Sequence, residues 1–177
     1  INDLTDGYNT QNAGAFNLMM GTPDSAYTVP TGIGNTAVGI LALVRDTTGN
    51  NNSAFGYAAL YGNTTGGNNH AFGKYALYTN TVGTQNVAIG YTALYANTTG
   101  SYNNGLGNYA LYSNTVGASN SALGYKTLYF NTTGSENIAM GMLAMYGNTV
   151  GANNVALGSQ ALYGNSSGSN LTAVGFQ

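Results

Sequence analysis

Small, bulky and variable residues alternate over short stretches of this chain. In the segments Asn86 to Gly90 and Asn120 to Gly124, an alanine lies between a variable residue and a bulky apolar one. An alternation of this kind is the spacing of a β-strand whose two faces meet different surroundings. The pattern therefore predicts a short strand around each such alanine.

The bulky apolar position returns every seventeen residues, and we call it the bulky slot. It is occupied by Val38, Phe55, Phe72, Ile89, Leu106, Leu123, Met140, Leu157 and Val174. A first glycine file follows it directly, at Gly39, Gly56, Gly73, Gly90, Gly107, Gly124, Gly141, Gly158 and Gly175. A second glycine file keeps the same period and is offset from the first by ten residues, at Gly32, Gly49, Gly66, Gly83, Gly100, Gly117, Gly134, Gly151 and Gly168. A fixed period of this length, without a helical pattern inside the unit, indicates a solenoid of stacked repeats.

The rest of the unit predicts a second strand and two turns. Ala-Leu-Tyr, as in Ala59 to Tyr61, is the second strand candidate, with leucine opposing alanine and tyrosine across the pleat. The stretch N-T-[TV]-G-x-x-N is typical of turns, since glycine adopts positive φ at little cost and asparagine hydrogen-bonds local backbone. Two glycines in each unit leave no run long enough for a stable helix.

The sequence therefore predicts an all-β fold. Its regular part, residues 35–177, is expected to be a parallel β-solenoid of about nine coils with seventeen residues each. Residues 1–34 are expected to form an entry segment with one degenerate coil, because Asn17 to Gly21 is a worn copy of the pattern N-x-A-h-G. At ~4.8 Å per coil, the stack would be a rod roughly 40 Å long.

Stacking would place identical side chains over one another. An Asn ladder is expected from Asn63, Asn80, Asn97, Asn114, Asn131, Asn148 and Asn165, and a Tyr ladder from Tyr61, Tyr78, Tyr95, Tyr112, Tyr129, Tyr146 and Tyr163. Stacked amides satisfy one another's donors and acceptors, and stacked rings bury area, so both ladders are expected to hold the rod together. Any open face of the Tyr ladder is also a candidate contact surface. The bulky slot is expected to be buried, either inside the coil or against neighbouring chains.

Composition excludes several functional classes. Charged residues make up 5% of the chain, against about a quarter in ordinary globular proteins. Only Arg45, Lys74 and Lys126 are positive, and the net charge is −2, so there is no basic stripe for nucleic acid. No apolar run approaches membrane-span length, and no insertion into a membrane is expected. An uncharged rod without cysteine favours an extracellular, cell-surface or virion-surface location.

Residues with catalytic chemistry are few and scattered. His70 is the only histidine, and it occupies a slot that holds serine, threonine, valine or asparagine in other coils. The acidic residues are Asp3, Asp6, Asp24, Asp46 and Glu136. They do not recur at a spacing that would stack them in successive coils, so we expect no catalytic centre, metal site or cofactor. Glycosylation motifs occur thirty-four residues apart, at Asn63, Asn97, Asn131 and Asn165. The same Asn-Thr-Thr sequence is also ordinary turn sequence.

A family resemblance is carried by the segments around the predicted strand. The segments Asn35 to Gly39, Asn86 to Gly90 and Asn154 to Gly158 resemble the S-V-A-I-G core of head repeats in trimeric autotransporter adhesins of the Yersinia type. The longer repeat pattern N-T-A-[IV]-G-Y-x-A-L-Y-x-N-T-T-G also resembles parts of phage tail fibres and large bacterial surface proteins. The resemblance implies a left-handed parallel β-roll, three chains around one axis, and a surface fibre that adheres to host matrix or other cells. The unit here is longer than the family's repeat, with the extra residues in A-L-Y-x-N-T-[TV]-G.

The expected function is a structural or adhesive module of a surface fibre, trimeric by resemblance and without enzymatic activity. Its expected partners are other copies of itself, with cell-surface glycans or a matrix protein as possible contacts. One alternative is a protomer that assembles end to end into an extracellular filament. The other is an ice-binding solenoid, for which the chain offers one regular threonine file: Thr47, Thr64, Thr81, Thr98, Thr115, Thr132 and Thr149.

Overall fold

The part of the chain that the structure describes forms a single eleven-stranded sheet, whose strands follow one another in chain order. The computed structural model describes residues 7–9, 17–21 and 31–177, and no α-helix occurs among them. Each strand has three residues: β1 (Gly7–Asn9), β2 (Leu18–Met20), β3 (Thr36–Val38), β4 (Ser53–Phe55), β5 (His70–Phe72), β6 (Val87–Ile89), β7 (Asn104–Leu106), β8 (Ser121–Leu123), β9 (Ile138–Met140), β10 (Val155–Leu157) and β11 (Thr172–Val174).

Strands β2 to β11 are parallel, and equivalent slots of neighbouring coils lie side by side. Ala37 pairs with Ala54, and Ala54 with Ala71, each seventeen residues further along. The predicted parallel β-solenoid of about nine 17-residue coils is therefore confirmed. Strand β2 is the worn copy of the pattern, and its Met19 pairs with Ala37, one residue beyond the regular period. Strand β1 pairs antiparallel with β2.

The interior is narrow and is filled by small residues and leucine. The middle residue of strands β2 to β11 points inward, and in most coils it is a fully buried alanine. A second alanine and the leucine after it, such as Ala93 and Leu94, are also fully buried. These files form one continuous core along the stack. Because the middle residue of the strand faces this core, the bulky residue next to it points to the opposite face of the sheet.

The prediction of a second strand at Ala-Leu-Tyr was wrong. These residues form a turn, and the leucines have left-handed backbone, with φ of 52° at Leu60, 51° at Leu77 and 52° at Leu94. Strand geometry would place neighbouring residues on opposite faces, whereas the left-handed leucine lets alanine and leucine both point inward. Coils remain hydrogen-bonded here, since the Leu77 N–H donates to the Ala93 carbonyl at 3.0 Å. This conformation costs about 1 kcal/mol or more for a non-glycine residue, and the buried leucine offsets it.

The two glycine files have different roles. Glycines of the first file have positive φ, for example 132° at Gly90, and they turn the chain out of the strand. The second file was expected to do the same, but its glycines do not have positive φ. A Cβ on Gly100 would lie 2.4 Å from the Gly117 carbonyl oxygen and 2.5 Å from Asn97 Oδ1. The second file is therefore glycine because backbone and amide pack against it.

Two asparagine ladders fill the other end of each coil. In the Asn ladder, the Asn97 Nδ2 donates to Asn80 Oδ1 at 2.8 Å and to the Gly100 carbonyl at 2.9 Å. Its own Oδ1 accepts from Asn114 Nδ2 at 2.9 Å. A second ladder binds backbone, and its members are Asn35, Asn52, Asn69, Asn86, Asn103, Asn120, Asn137 and Asn154. Polar groups can be buried here because each has a partner.

Candidate functional site

The first candidate surface is an apolar stripe on the outer face of the sheet. The bulky-slot residues point outward, and several are exposed, including Phe72 (39%), Ile89 (43%) and Leu123 (46%). Hydrophobic residues two positions earlier in the strand extend it, namely Val87, Ile138 and Val155. We define the apolar stripe as the bulky slot of β3 to β11 with these three residues. The bulky slot was expected to be buried either inside the coil or against neighbouring chains. Burial inside the coil is wrong, because the alanine next to it faces the core, and burial against neighbouring chains stays a prediction.

The apolar stripe has a shaped surface along its length. The rings of Phe55 and Phe72 stack with centroids 4.9 Å apart. Further along, Leu106, Leu123, Ile138 and Met140 line a shallow depression of about 210 Å³. An apolar surface that runs through successive coils marks an interaction surface rather than scattered exposed residues.

The second candidate surface carries most of the tyrosines. The Tyr ladder runs through seven coils, with ring centroids 5.0–5.4 Å apart and planes within 22° of parallel. The guanidinium carbon of Arg45 lies 4.5 Å from the centroid of the Tyr61 ring, at the start of the ladder. Each inner ring is thus covered on both faces by its neighbours. The ladder therefore offers mainly ring edges to a partner. The open ring faces that the sequence suggested as a contact surface are largely absent, because neighbouring rings cover them.

A second set of tyrosines was missed by the sequence analysis. Tyr57, Tyr91 and Tyr125 directly follow glycines of the first file in every second coil, and we call them the outer tyrosine file. They are exposed by 41%, 40% and 46%. Half-buried Tyr75 and Tyr109 lie between them and the Tyr ladder. The available signal was the recurrence of Gly-Tyr at a spacing of thirty-four residues.

All three cations of the chain lie on this tyrosine surface. Lys74 Nζ is 5.6 Å and 5.1 Å from the ring centroids of Tyr57 and Tyr75. Lys126 Nζ is 5.4 Å from the centroid of Tyr125, and a hydrogen bond with that hydroxyl raises the pKa of Lys126. The positive charges therefore serve cation–π contacts with tyrosine, and they do not form a basic stripe.

The glycosylation motifs do not present accessible acceptors in the folded coil. Asn63, Asn97 and Asn131 are fully buried. Each donates through Nδ2 to the side chain of the preceding coil and to the glycine three residues later, as Asn131 does to Asn114 and Gly134. A glycosyltransferase could modify them only outside this fold, so the geometry supports the turn interpretation. Asn165 is half-buried and makes the same two contacts at 3.1 Å.

The threonine file is bonded to the next coil. The Thr81 hydroxyl donates to the Thr98 carbonyl at 3.0 Å, and Thr98 donates to Thr115 in the same way. Most of these threonines are half-buried. Hydroxyl groups that donate to backbone have no proton left to order water, which weakens the expectation of an ice-binding face.

Titratable groups do not converge in the part of the chain that the structure describes. No three histidine or carboxylate side chains there come close enough to hold a metal ion. His70 is exposed beside the apolar stripe, and Asp46 is fully buried at the start of the Asn ladder. Asp3, Asp6 and Asp24 lie outside the described residues. No helix in the described ranges is long and apolar enough to cross a membrane.

No protein-family model, curated protein or solved structure matches this chain. The two surfaces are thus the available guide to function.

Proposed function

We propose that this chain is the repeating structural module of an extracellular, cell-surface or virion-surface fibre, which assembles from copies of itself and adheres through its outer surface. The single observation that carries this proposal is the apolar stripe, which lies on the outer face of the sheet while alanine and leucine already fill the interior of the solenoid. Covering the stripe with other copies would bury Phe72, Ile89, Leu123 and their equivalents. Thin cores commonly need such help from oligomerisation.

Three copies around one axis are the assembly that the adhesin resemblance favours. A rigid parallel stack with few charges suits a fibre, since every coil repeats the same surface. Adhesion to glycans or a matrix protein is proposed for the exposed positions outside the stripe. End-to-end assembly into a filament is the alternative. A closed trimer has a fixed mass, whereas the mass of an open filament grows with protein concentration.

The test is the mass in solution of the wild-type chain and of a triple variant of the stripe. Replacing Ile89, Leu123 and Met140 by serine removes three exposed apolar side chains and leaves the core unchanged. We expect a closed oligomer for the wild type and a monomer with an unchanged β-sheet spectrum for the variant, measured by light scattering and circular dichroism.

A matched control uses apolar residues on another side of the coil. Val82, Val116 and Val150 are exposed by 47–51% and lie in the turn before the second glycine file. Serine at these three positions is expected to leave the oligomer intact. A monomeric wild type at high concentration, or equal effects of the two triple variants, would contradict assembly through the stripe. Mass that grows continuously with concentration would favour the filament.

A further inference from the structure

The outer tyrosine file has a spacing set by the solenoid. Tyr57, Tyr91 and Tyr125 are separated by two coils each, which corresponds to about 10 Å along the stack. The equivalent position in the other described coils holds Ile40, Lys74, Asn108, Met142, Ser159 and Phe176. The file is therefore three exposed rings, spaced two coils apart, with a non-aromatic residue in the coil between each pair.

These rings are held in place by the tyrosines beneath them. The rings of Tyr75 and Tyr57 form a T-shaped pair, with centroids 5.4 Å apart and planes at 89°. Tyr109 supports both Tyr91 and Tyr125, at 5.3 Å and 6.1 Å. Rings fixed in this way lose little conformational entropy on binding, so they suit a ligand that stacks on aromatic surface.

We propose that the outer tyrosine file binds a linear β-1,4-linked glycan that lies along the solenoid axis. In such an extended chain, alternate sugars are turned over, so the same sugar face returns with every second residue. The length of that disaccharide is close to the rise of two coils, about 10 Å. Each tyrosine of the file would then meet an equivalent sugar, and the apolar face of a pyranose ring can stack on a phenol ring.

Polar groups suited to sugar hydroxyls lie beside the rings. The ammonium groups of Lys74 and Lys126 are 5.1–5.7 Å from the nearby ring centroids. They are the only lysines in the chain. An ammonium group in this position can donate hydrogen bonds to hydroxyl oxygens while it stays on the ring. The Tyr ladder does not compete for the same ligand, because its ring faces are covered by one another.

This inference rests on the adhesive role proposed above, and a separate measurement tests it. Binding of cellohexaose to the wild-type chain is followed by titration calorimetry, with the α-linked maltohexaose as the control ligand. We expect binding of cellohexaose only, because the α-linked chain curves and loses the repeat. Replacing Tyr57, Tyr91 and Tyr125 by alanine is expected to weaken binding by at least about tenfold. Tyr102, which is 56% exposed on a different turn, is the matched control, and Tyr102→Ala should bind as the wild type does.

A pair of gain-of-function variants tests the spacing itself. Ser159→Tyr adds a fourth ring two coils after Tyr125, whereas Met142→Tyr adds one after a single coil. Tighter binding is expected from Ser159→Tyr and not from Met142→Tyr. No binding of cellohexaose, equal binding of maltohexaose, or equal affinities in the wild type and the triple alanine variant would overturn the proposal. Light scattering on the same samples reports the oligomer, so a failure of assembly through the stripe is seen separately from a failure of glycan binding.

Discussion

At the scale of single residues, Arg45 and Asp46 lie at the start of the Tyr ladder and of the Asn ladder, respectively. Arg45 covers the first ring of the Tyr ladder. Asp46 occupies the slot that holds asparagine in every later coil, and it accepts from Asn63 Nδ2 at 2.8 Å. A carboxylate accepts without donating, which suits the first position of a ladder whose amides all donate toward the preceding coil. Burial disfavours the charged form of this carboxylate, however, and raises the pKa of Asp46 to about 7.

Asp46 should make folding stability depend on pH. Its folded pKa of about 7 lies above the ordinary value of 3.8, so the folded state holds the proton more tightly than the unfolded state. The free energy of unfolding should therefore fall as the pH rises from about 4 to about 7, and then level off. Asp46→Asn removes this charge, and its Nδ2 can donate to the Gly49 carbonyl, as the amides of later coils do to their own glycines. We expect a gain of about 2–4 kcal/mol at pH 8 and little change at pH 4, measured by urea unfolding at both values.

Glu136 is the control for this change, since it is an exposed carboxylate on the same solenoid. Glu136→Gln is expected to leave the pH dependence in place. An Asp46→Asn variant that is equally stabilised at pH 4 and pH 8 would show that the charge of Asp46 is not the cause.

At the scale of the element, strand periodicity and glycine spacing predicted the parallel strands, their register and the Asn ladder. They did not predict the turn at Ala-Leu-Tyr, because nothing about Leu94 as a residue type indicates a left-handed backbone. The direction of the bulky slot was also undetermined. In a strand such as Val87–Ile89, alanine and isoleucine lie on opposite faces, and only the narrow coil decides that alanine is inside. The outer tyrosine file was missed because a single coil does not contain its two-coil period.

The second glycine file gives a prediction at this scale. Gly100→Ala should destabilise the fold by several kcal/mol, because its Cβ would meet a carbonyl oxygen and an amide oxygen at 2.4–2.5 Å. Gly164, where a Cβ has nothing within 4 Å, is the control, and Gly164→Ala should be neutral or slightly stabilising. Thermal unfolding of both variants checks this. Equal melting temperatures would mean that the coils can separate enough to accept the methyl group.

At the scale of the whole molecule, the solenoid keeps its stabilising contacts inside and repeats its outer surfaces. Alanine, leucine and asparagine hold each coil to the next, while the apolar stripe and the outer tyrosine file lie outside that network. Each coil contacts only its neighbours, so coils can be removed with a gradual loss of stability. The function proposed for the outer surface should then depend on which coils remain and on the spacing between them.

Deleting whole coils separates stability from spacing. Removing residues 90–106 takes out one coil, and removing 90–123 takes out two; both deletions join Ile89 to a glycine of the first file and keep every ladder in register. Both variants lose Tyr91 and keep Tyr57 and Tyr125, which are then three coils apart in the first and two coils apart in the second. We expect the unfolding free energy to fall stepwise with each coil that is removed, and the rod to shorten by about 4.8 Å per coil in small-angle X-ray scattering.

Glycan binding should show the reverse order, because the shorter variant restores the two-coil spacing and should bind cellohexaose more tightly than the longer one. If affinity instead follows the number of coils, the surface acts through its total area and the spacing of the tyrosines has no role.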